Sequence, residues 1–284
     1  MSSRTKAVLD IECYKNYFLI AIKSLANGKV ATFERSDWTD FDVEQLTRVL
    51  RQYTIITFNG NRYDMLLLKG AIVGLSNAKL KEMSDDIIVN DVRSWDIESK
   101  HNLPQCRYID HIDLIDVAPG KASLKIYGGR LHSKRMQDLP IEPGATIKPD
   151  ERELLTNYCI NDLDTTIDLF NKLSSQIDLR EKMGKELGLD LRSKSDAQIA
   201  ESVIKKQIEA IKETRIFKPE LPKGYSFNYV PPAYIKFKNP ELIAALDVFK
   251  SEAFTLNEKG DSAEPEKIGK LKIKINQTVY QLGI

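Results

Sequence analysis

Three groups of polar side chains have residue types and spacings that could do chemistry together. They are Asp10 with Glu12, Asn59 with Asp64, and Tyr158 with Asp162. The four carboxylates among them would repel one another at a single point unless cations bound between them. Mg²⁺ and Mn²⁺ prefer oxygen ligands of this kind. Two such ions about 3.5–4 Å apart can activate a water molecule and stabilise the leaving oxygen in phosphodiester hydrolysis.

The third group adds a phenol to the carboxylates. Tyr158 and Asp162 are four residues apart, which places both side chains on one face of a helix. The phenol could then orient an attacking water while the carboxylate holds a metal ion. Taken alone, each group has a plainer interpretation, as a solvated strand face, a helix cap or the edge of a core. The three groups together, in this order, favour the catalytic interpretation.

Strands and helices are predicted around the first two groups. In residues 6–13, Leu9 and Ile11 alternate with the two acids, which predicts a strand with the acids on the opposite face. Residues 40–52 have helical apolar spacing, and residues 53–58 predict a short buried strand. The order strand, helix, strand indicates a parallel neighbour for the first strand.

Other strands complete a sheet. Residues 17–22 and 29–33 predict two strands joined at Asn27-Gly28, a strong hairpin pair. Residues 108–117 predict a further strand. Asp113 lies in this last strand, and a surface or turn role is favoured for it over support of the other acids.

Two helices are predicted in the second half of the chain. The first runs from residue 148 to about 173 and carries the third group. The second covers residues 195–212, with Ser195 and Gln198 in the register of a capping box. Beyond residue 214, prolines and aromatic residues alternate, which indicates extended chain, and residues 271–284 alternate like a strand.

Composition limits the function classes. The 284 residues include 42 Lys plus Arg and 41 Asp plus Glu, for a formal net charge of +1. This balance excludes a broadly basic coat that binds duplex DNA non-specifically, but it permits a local basic groove. The length suits one large domain, or one domain with an appended module.

The cysteines and the apolar runs indicate a compartment. Neither a signal peptide nor a run of about 18 apolar residues is present, so we expect neither export nor membrane contact. A CxxC pair is also absent, and the odd number of cysteines favours a reducing, cytoplasmic location. The cysteines are Cys13, Cys106 and Cys159.

The blocks that carry the three groups resemble known motifs. LDIE, FNGNRYD and YCIND resemble, in order, the three exonuclease motifs of the DEDD superfamily in its tyrosine variant. More narrowly, they are similar to the proofreading exonuclease of family B DNA polymerases, with Asn59, Tyr63 and Asp64 matching the middle motif. The histidine variant would have His where this chain has Asn157. The resemblance covers residues 6–175.

The resemblance implies a fold and an activity. The fold is α/β, with an RNase H-like (DnaQ-like) mixed sheet flanked by helices over residues 1–192. A C-terminal extension, residues 193–284, resembles the region of bacteriophage polymerases that leads to the polymerase module. The implied activity is 3′→5′ hydrolysis of single-stranded DNA ends to nucleoside 5′-monophosphates, with two Mg²⁺ or Mn²⁺ ions. Polymerase motifs do not occur, so the polymerase that is proofread would be a module in cis or a partner chain.

The resemblance also assigns roles to residues. The metal ligands would be Asp10, Glu12, Asp64 and Asp162, and Tyr158 would position the attacking water. The predicted contacts with the DNA strand involve Asn59, the backbone of Ile11, Phe58, Leu67 and Lys134. Phe58 or Leu67 would pack on the last bases. Lys134 would support the scissile phosphate, although basic runs of this kind are usually solvated helix faces.

Two other functions remain open on the sequence alone. One is a free-standing nuclease of the same superfamily that acts on RNA or on general DNA ends. The other is a non-catalytic DNA-binding or partner-docking domain, with docking through residues 214–284. The presence of all four acids argues against the non-catalytic function.

Overall fold

The computed structural model describes residues 4–135, 137–217, 221–222, 224–257, 262–275 and 278–281. The chain divides into two compact units, Met1–Ile211 and Lys212–Ile284. The first unit therefore includes residues 193–211, which the resemblance assigns to the C-terminal extension. Among the described residues, no helix is both long and apolar enough to cross a membrane.

A five-stranded sheet forms the centre of the first unit. Its strands are β1 (Thr5–Cys13), β2 (Tyr17–Ser24), β3 (Val30–Ser36), β4 (Tyr53–Thr57) and β5 (Asp110–Asp113). Their order is β3-β2-β1-β4-β5. The pairs β1–β2 and β2–β3 are antiparallel, whereas β1–β4 and β4–β5 are parallel. The sheet is therefore mixed, as predicted.

Helices cover both faces of this sheet. The helices packed on one face are α1 (Val43–Gln52), α2 (Asp64–Ile72), α3 (Asn77–Ile88) and α4 (Ser94–Lys100). The helices packed on the other face are α5 (Leu124–Leu131) and α6 (Arg152–Leu187), and α7 (Asp196–Lys212) follows them in the chain. The sheet thus separates two apolar cores, and the prediction of an α/β fold with a flanked mixed sheet is confirmed.

The pleat of β1 decides where its acids lie. Leu9 and Ile11 are buried in the core beneath α1–α4. Asp10 and Glu12 alternate with them and lie on the face of α6, where the Cys159 thiol is 3.4 Å from Asp10 Oδ2. The predicted arrangement of this strand is confirmed.

Two local signals in the sequence correspond to hydrogen bonds in the structure. At the predicted hairpin, Gly28 has φ +69°, and its N–H donates to the Ser24 carbonyl at 2.9 Å. At the start of α7, the Ser195 N–H donates to Gln198 Oε1 at 2.9 Å, and the Gln198 N–H donates to Ser195 Oγ at 3.3 Å. This reciprocal pair is the predicted capping box.

β5 is shorter than the predicted strand over residues 108–117. The chain turns directly after Asp113, because the Ile115 N–H donates to Asp113 Oδ1 at 3.2 Å. The Ala118 N–H then donates to the Leu114 carbonyl at 2.9 Å. A side chain that captures a nearby backbone N–H ends the strand here, although the apolar pattern continues.

The helix that carries the third group is longer than the predicted 148–173. α6 has 36 residues and continues to Leu187, with Ile177 still fully buried. It ends at Gly188, whose φ of +60° is the left-handed cap that glycine adopts most easily. A single rigid element therefore holds the third group and the chain that leads to α7.

In its described residues, the second unit contains short strands and two helices. Its elements are β6 (Ser226–Asn228), α8 (Pro240–Ser251), β7 (Ala253–Leu256), β8 (Ser262–Ala263), α9 (Glu266–Gly269), β9 (Lys272–Ile275) and β10 (Thr278–Gln281). β9 and β10 pair as an antiparallel hairpin, so the predicted single strand over residues 271–284 is wrong. Residues 276–277 and 282–284 of that prediction lie outside the described residues.

Candidate active site

Three separate elements bring the predicted metal ligands together. Asp10 and Glu12 lie on β1, Asp64 is the first residue of α2, and Asp162 lies on α6. The charges of Asp10, Asp162 and Asp64 all raise the pKa of Glu12, and of these four acids Asp10 and Glu12 form the tightest group among the described residues. We refer to these four residues as the acid cluster.

The loop between β4 and α2 has a constrained backbone. Asn59 has φ +64°, a left-handed conformation that is uncommon for a residue with a Cβ atom. At Gly60, an added Cβ would lie 2.0 Å from Thr57 Oγ1, so no larger residue fits without movement. This constrained loop places Asp64 at the start of α2, where only 4% of the Asp64 surface is exposed.

Every member of the acid cluster has a raised pKa. Burial and the charge of Asp162 raise the pKa of Asp10 to about 7. Burial, followed by the charges of Asp10 and Asp162, raises the pKa of Glu12 well above its usual value. Burial, followed by the charge of Asp10, raises the pKa of Asp64 well above its usual value. Burial also raises the pKa of Asp162. The folded chain therefore disfavours the ionised form of each group.

The described residues provide little positive charge to offset the acid cluster. Lys125 lowers the pKa of Asp162, although the effect of burial is larger. Within the described part of the chain, no basic side chain is among the main influences on the pKa values of the other three acids. The arrangement is therefore one that cations from solution would stabilise.

Two buried polar atoms of the site lack hydrogen-bond partners in the part of the chain that the structure describes. Neither Asn59 Oδ1 nor Asp64 Oδ1 has a hydrogen-bond partner among the described residues. A buried polar atom without a partner costs about 1–3 kcal/mol. A ligand that meets these atoms would recover that energy, and a cation at Asp64 is such a ligand.

Cys159 lies among the acids and was not predicted to do so. One ligand atom each from Asp10, Glu12 and Cys159 lie within 4.8 Å of one another. Burial and the charge of Asp10 raise the pKa of the Cys159 thiol well above its usual value, and this thiol donates to Asp10 Oδ2 at 3.4 Å. Because metals bind the thiolate, a protonated thiol leaves a set of oxygen ligands, which hard divalent cations accept.

Tyr158 keeps its proton. Its side chain is 8% exposed, and burial followed by the charges of Asp162 and Glu12 raises the pKa of its phenol. A neutral phenol beside the acid cluster can donate a hydrogen bond to a water or to a substrate oxygen. It is therefore suited to orient a water and unsuited to act as a base.

The residues predicted to contact DNA lie in different environments. Phe58 is half-buried and packs edge-to-face on Tyr127, with ring centroids 5.8 Å apart. The Ile11 side chain is buried in the core, which leaves only its backbone for the predicted contact. Leu67 is fully buried in the same core. A fully buried side chain cannot stack on a base, which argues against the predicted role of Leu67.

Lys134 is exposed beside a cavity of about 500 Å³. Asn157 and Asn161 of α6 also line this cavity, on the turns that carry Tyr158 and Asp162. Lys134 is thus near the helix of the third group, with its ammonium accessible to solvent. Its predicted contact with a phosphate stays a prediction.

Asp113 has the predicted turn role through the Ile115 N–H, but it is not a surface residue. It is 1% exposed and accepts hydrogen bonds from backbone N–H groups of the loop that contains Asn59. No local pattern in the sequence indicates this contact, because the donors are 52 and 54 residues away in the chain. The sequence does not single out Asp113, because Asp110 and Asp116 lie in the same predicted strand.

Comparison with known proteins adds no assignment to this geometry. The sequence matches no protein-family model, and no match was found among the curated proteins.

Proposed function

We propose that the chain is a metal-dependent 3′→5′ exonuclease that hydrolyses single-stranded DNA 3′ ends to nucleoside 5′-monophosphates. In this proposal the first unit is an RNase H-like domain of the type found in the proofreading exonucleases of family B DNA polymerases. It would proofread for a polymerase module in cis or in a partner chain, in the cytoplasm. The mixed sheet and the position of the three motifs on it support this assignment.

One observation carries the proposal. Burial raises the pKa of each of the four acids on β1, α2 and α6, and neighbouring carboxylates raise the pKa values of Asp10, Glu12 and Asp64 further. Tyr158 lies on the same helix as Asp162. Clustered carboxylates that lack cationic partners disfavour the folded state at neutral pH. A purely structural role would not explain this cluster of carboxylates, whereas a catalytic site for two divalent cations would explain it.

The acid cluster would hold two Mg²⁺ or Mn²⁺ ions, since the donor set consists of carboxylate oxygens. When bound, these ions would lower the pKa of a water and neutralise charge at the leaving oxygen. The unpartnered Oδ1 of Asp64 supports this fit, as does the protonated Cys159 thiol.

The other residues of the chain would bind and orient the reacting groups. Tyr158 would donate a hydrogen bond to the attacking water, because its phenol remains protonated. Asn59, whose side-chain oxygen lacks a partner among the described residues, would accept a hydrogen bond from the 3′-terminal nucleotide. Phe58 would stack on a terminal base, and such stacking contributes about 1–3 kcal/mol per base.

This arrangement would favour excision of mismatches. A single-stranded terminus must be melted from the duplex before it can enter the site. A mismatch lowers the cost of that melting, so mismatched ends reach the site more often than paired ends.

Digestion of a mismatched primer tests the proposal. With Mg²⁺ present, we expect the chain to shorten a 5′-labelled primer stepwise from its 3′ end, and a 3′-labelled primer to release labelled mononucleotide first. Chelation by EDTA and the variants Asp10→Ala and Asp162→Ala should stop the reaction. No shortening, or equal shortening by the variants, would rule the proposal out.

An RNA strand of the same sequence separates the proposal from its nearest rival. A proofreading enzyme should degrade the DNA strand faster than the RNA strand. Preference for RNA would instead favour the free-standing nuclease.

A further inference from the structure

We propose that Asp113 is a positioning residue for the 3′-terminal nucleotide and acts by fixing the backbone of Asn59. This inference rests on the proposed function, because it assumes that Asn59 contacts the substrate strand. Asp113 itself would touch neither the substrate nor a metal ion.

Asp113 accepts three backbone hydrogen bonds. Its Oδ1 accepts the N–H of Asn59 at 2.8 Å and the N–H of Ile115 at 3.2 Å. Its Oδ2 accepts the N–H of Asn61 at 2.8 Å. Both carboxylate oxygens are thus engaged by the chain, and the residue is only 1% exposed. A carboxylate in this state is a poor candidate for a fifth metal ligand and a good anchor for a loop.

The anchored loop has a conformation that needs support. Asn59 is held at φ +64°, and residues other than glycine adopt this region at an energetic cost. Hydrogen bonds from N–H groups to a carboxylate are about twice as strong as those between neutral groups. Asp113 therefore supplies, on both sides of Gly60, the bonds that offset the strain at Asn59.

The anchor is itself fixed at two points. Asp113 pairs with Thr57 across the parallel strands β4 and β5. Its own N–H donates to Ser193 Oγ at 2.9 Å, in the connection between α6 and α7. The position of Asn59 thus depends on strands β4 and β5 and on the connection after α6, so it is set before any substrate arrives.

The geometry gives a specific expectation for Asp113→Asn. The amide keeps the size of the carboxylate but places an NH₂ group against the N–H of either Asn59 or Asn61. Since one N–H then faces another donor, the loop must shift. We expect the KM for single-stranded 3′ ends to rise about tenfold, as expected when a binding site loses its organised hydrogen-bond partners. We expect kcat and Mn²⁺ affinity to change less than threefold.

A double-mutant cycle distinguishes this role from general destabilisation. If Asp113 acts through Asn59, the variant Asn59→Ala and the double variant should raise KM by the same factor, because the second change removes nothing further. The matched control is Asp116→Asn, an identical chemical change at an exposed neighbour, which should leave KM unchanged. Thermal unfolding of each variant verifies that it is folded at the assay temperature.

A second variant covers the case in which Asp113→Asn does not fold. Ser193→Ala removes only the hydroxyl that accepts the Asp113 N–H, and it should raise KM two- to fivefold in the same direction. Additive effects on KM, an unchanged KM, or a large loss of Mn²⁺ affinity in the folded Asp113 variant would each overturn the inference. A wild-type chain without exonuclease activity would instead overturn the proposed function, and this inference with it.

Discussion

The two edges of the central sheet treat their acidic side chains in opposite ways. At the carboxyl ends of β1 and β4, the acid cluster is enclosed with little positive charge from the described residues. At the amino end of β5, Asp110 and Asp190 each lie 2.7 Å from the guanidinium of Arg192. We refer to these last three residues as the arginine cluster.

The pKa values of the acids are shifted in opposite directions at the two edges. Burial raises the pKa of Asp110, but hydrogen bonds from Arg192 and Thr54 outweigh burial and lower it. The hydrogen bond from Arg192 is the main cause of the lowered pKa of Asp190. In the acid cluster, burial raises every pKa, and neighbouring carboxylates raise the pKa values of Asp10, Glu12 and Asp64 further.

This difference shows how structural and functional acids can be told apart. In the arginine cluster the chain provides its own counter-ion, so the acids stabilise the fold without any external partner. In the acid cluster the counter-ion must come from solution. The comparison therefore predicts that mutations at the two edges will affect different properties of the protein.

The largest expected effect is the loss of activity in Asp10→Asn. Removal of a carboxylate from a two-metal site should reduce kcat/KM for single-stranded DNA about 1,000-fold, since such ions contribute several kcal/mol to the transition state. Asp110→Asn at the other edge should retain activity within a few fold. Initial rates of mononucleotide release measure both, and equal losses would erase the distinction between the edges.

Tyr158→Phe should have an intermediate effect. The phenyl ring keeps the packing but cannot donate to a water, so we expect kcat to fall about 10- to 100-fold. Mn²⁺ affinity should be unchanged, because the acid cluster is intact. A variant with wild-type kcat would mean that Tyr158 packs beside the acids without orienting the water.

Asp110→Asn should instead lower stability. The change removes the charge that pairs with Arg192, and we expect the free energy of unfolding to fall by about 1–2 kcal/mol because this pair is partly exposed and screened. Urea denaturation measures the change. Asp247→Asn, in an exposed helical pair with Lys250, offers a comparison, with an expected loss below about 0.5 kcal/mol.

The smallest expected effect is on stability as a function of pH. The pKa of Asp10 is raised to about 7, above its value near 4 in the unfolded chain, so the folded state binds more protons between these values. Without metal ions, Asp10 should therefore stabilise the fold less and less as the pH rises from about 4 to 7. Asp10→Asn should be more stable than wild type at pH 7, by on the order of 1 kcal/mol.

Unfolding in EDTA at pH 5 and pH 7.5 measures this difference. The advantage of Asp10→Asn should grow with pH and disappear when Mg²⁺ is added, because the ions bind only the wild-type site well. If the difference in unfolding free energy between Asp10→Asn and wild type is independent of pH, ionisation of Asp10 does not destabilise the fold. The predicted difference between the two edges would then be wrong.

Much of the acid cluster could be predicted from the sequence because its signals are local. The alternation of Leu9 and Ile11 with the acids of β1, and the four-residue spacing of Tyr158 and Asp162, follow from strand and helix periodicity. The hairpin at Asn27-Gly28 is equally local. These patterns predict both the elements and the faces on which the acids lie.

The remaining features depend on contacts between distant segments. Asp113 ends β5 and anchors the Asn59 loop through N–H groups more than 50 residues away. Leu67 lies on α2, a helix with mostly buried residues, so its sequence does not indicate which side meets the site. Arg192 pairs with Asp110 from 82 residues away. None of these has a periodic signature.

Calorimetric titration of Mn²⁺ into the metal-free protein at pH 8 tests the central claim most directly. The account predicts that wild type and Asp110→Asn bind two ions with the same affinity, and that Asp10→Asn binds at least about tenfold more weakly or loses an ion. Absence of binding to wild type, or binding to Asp10→Asn that equals wild type, would contradict the account.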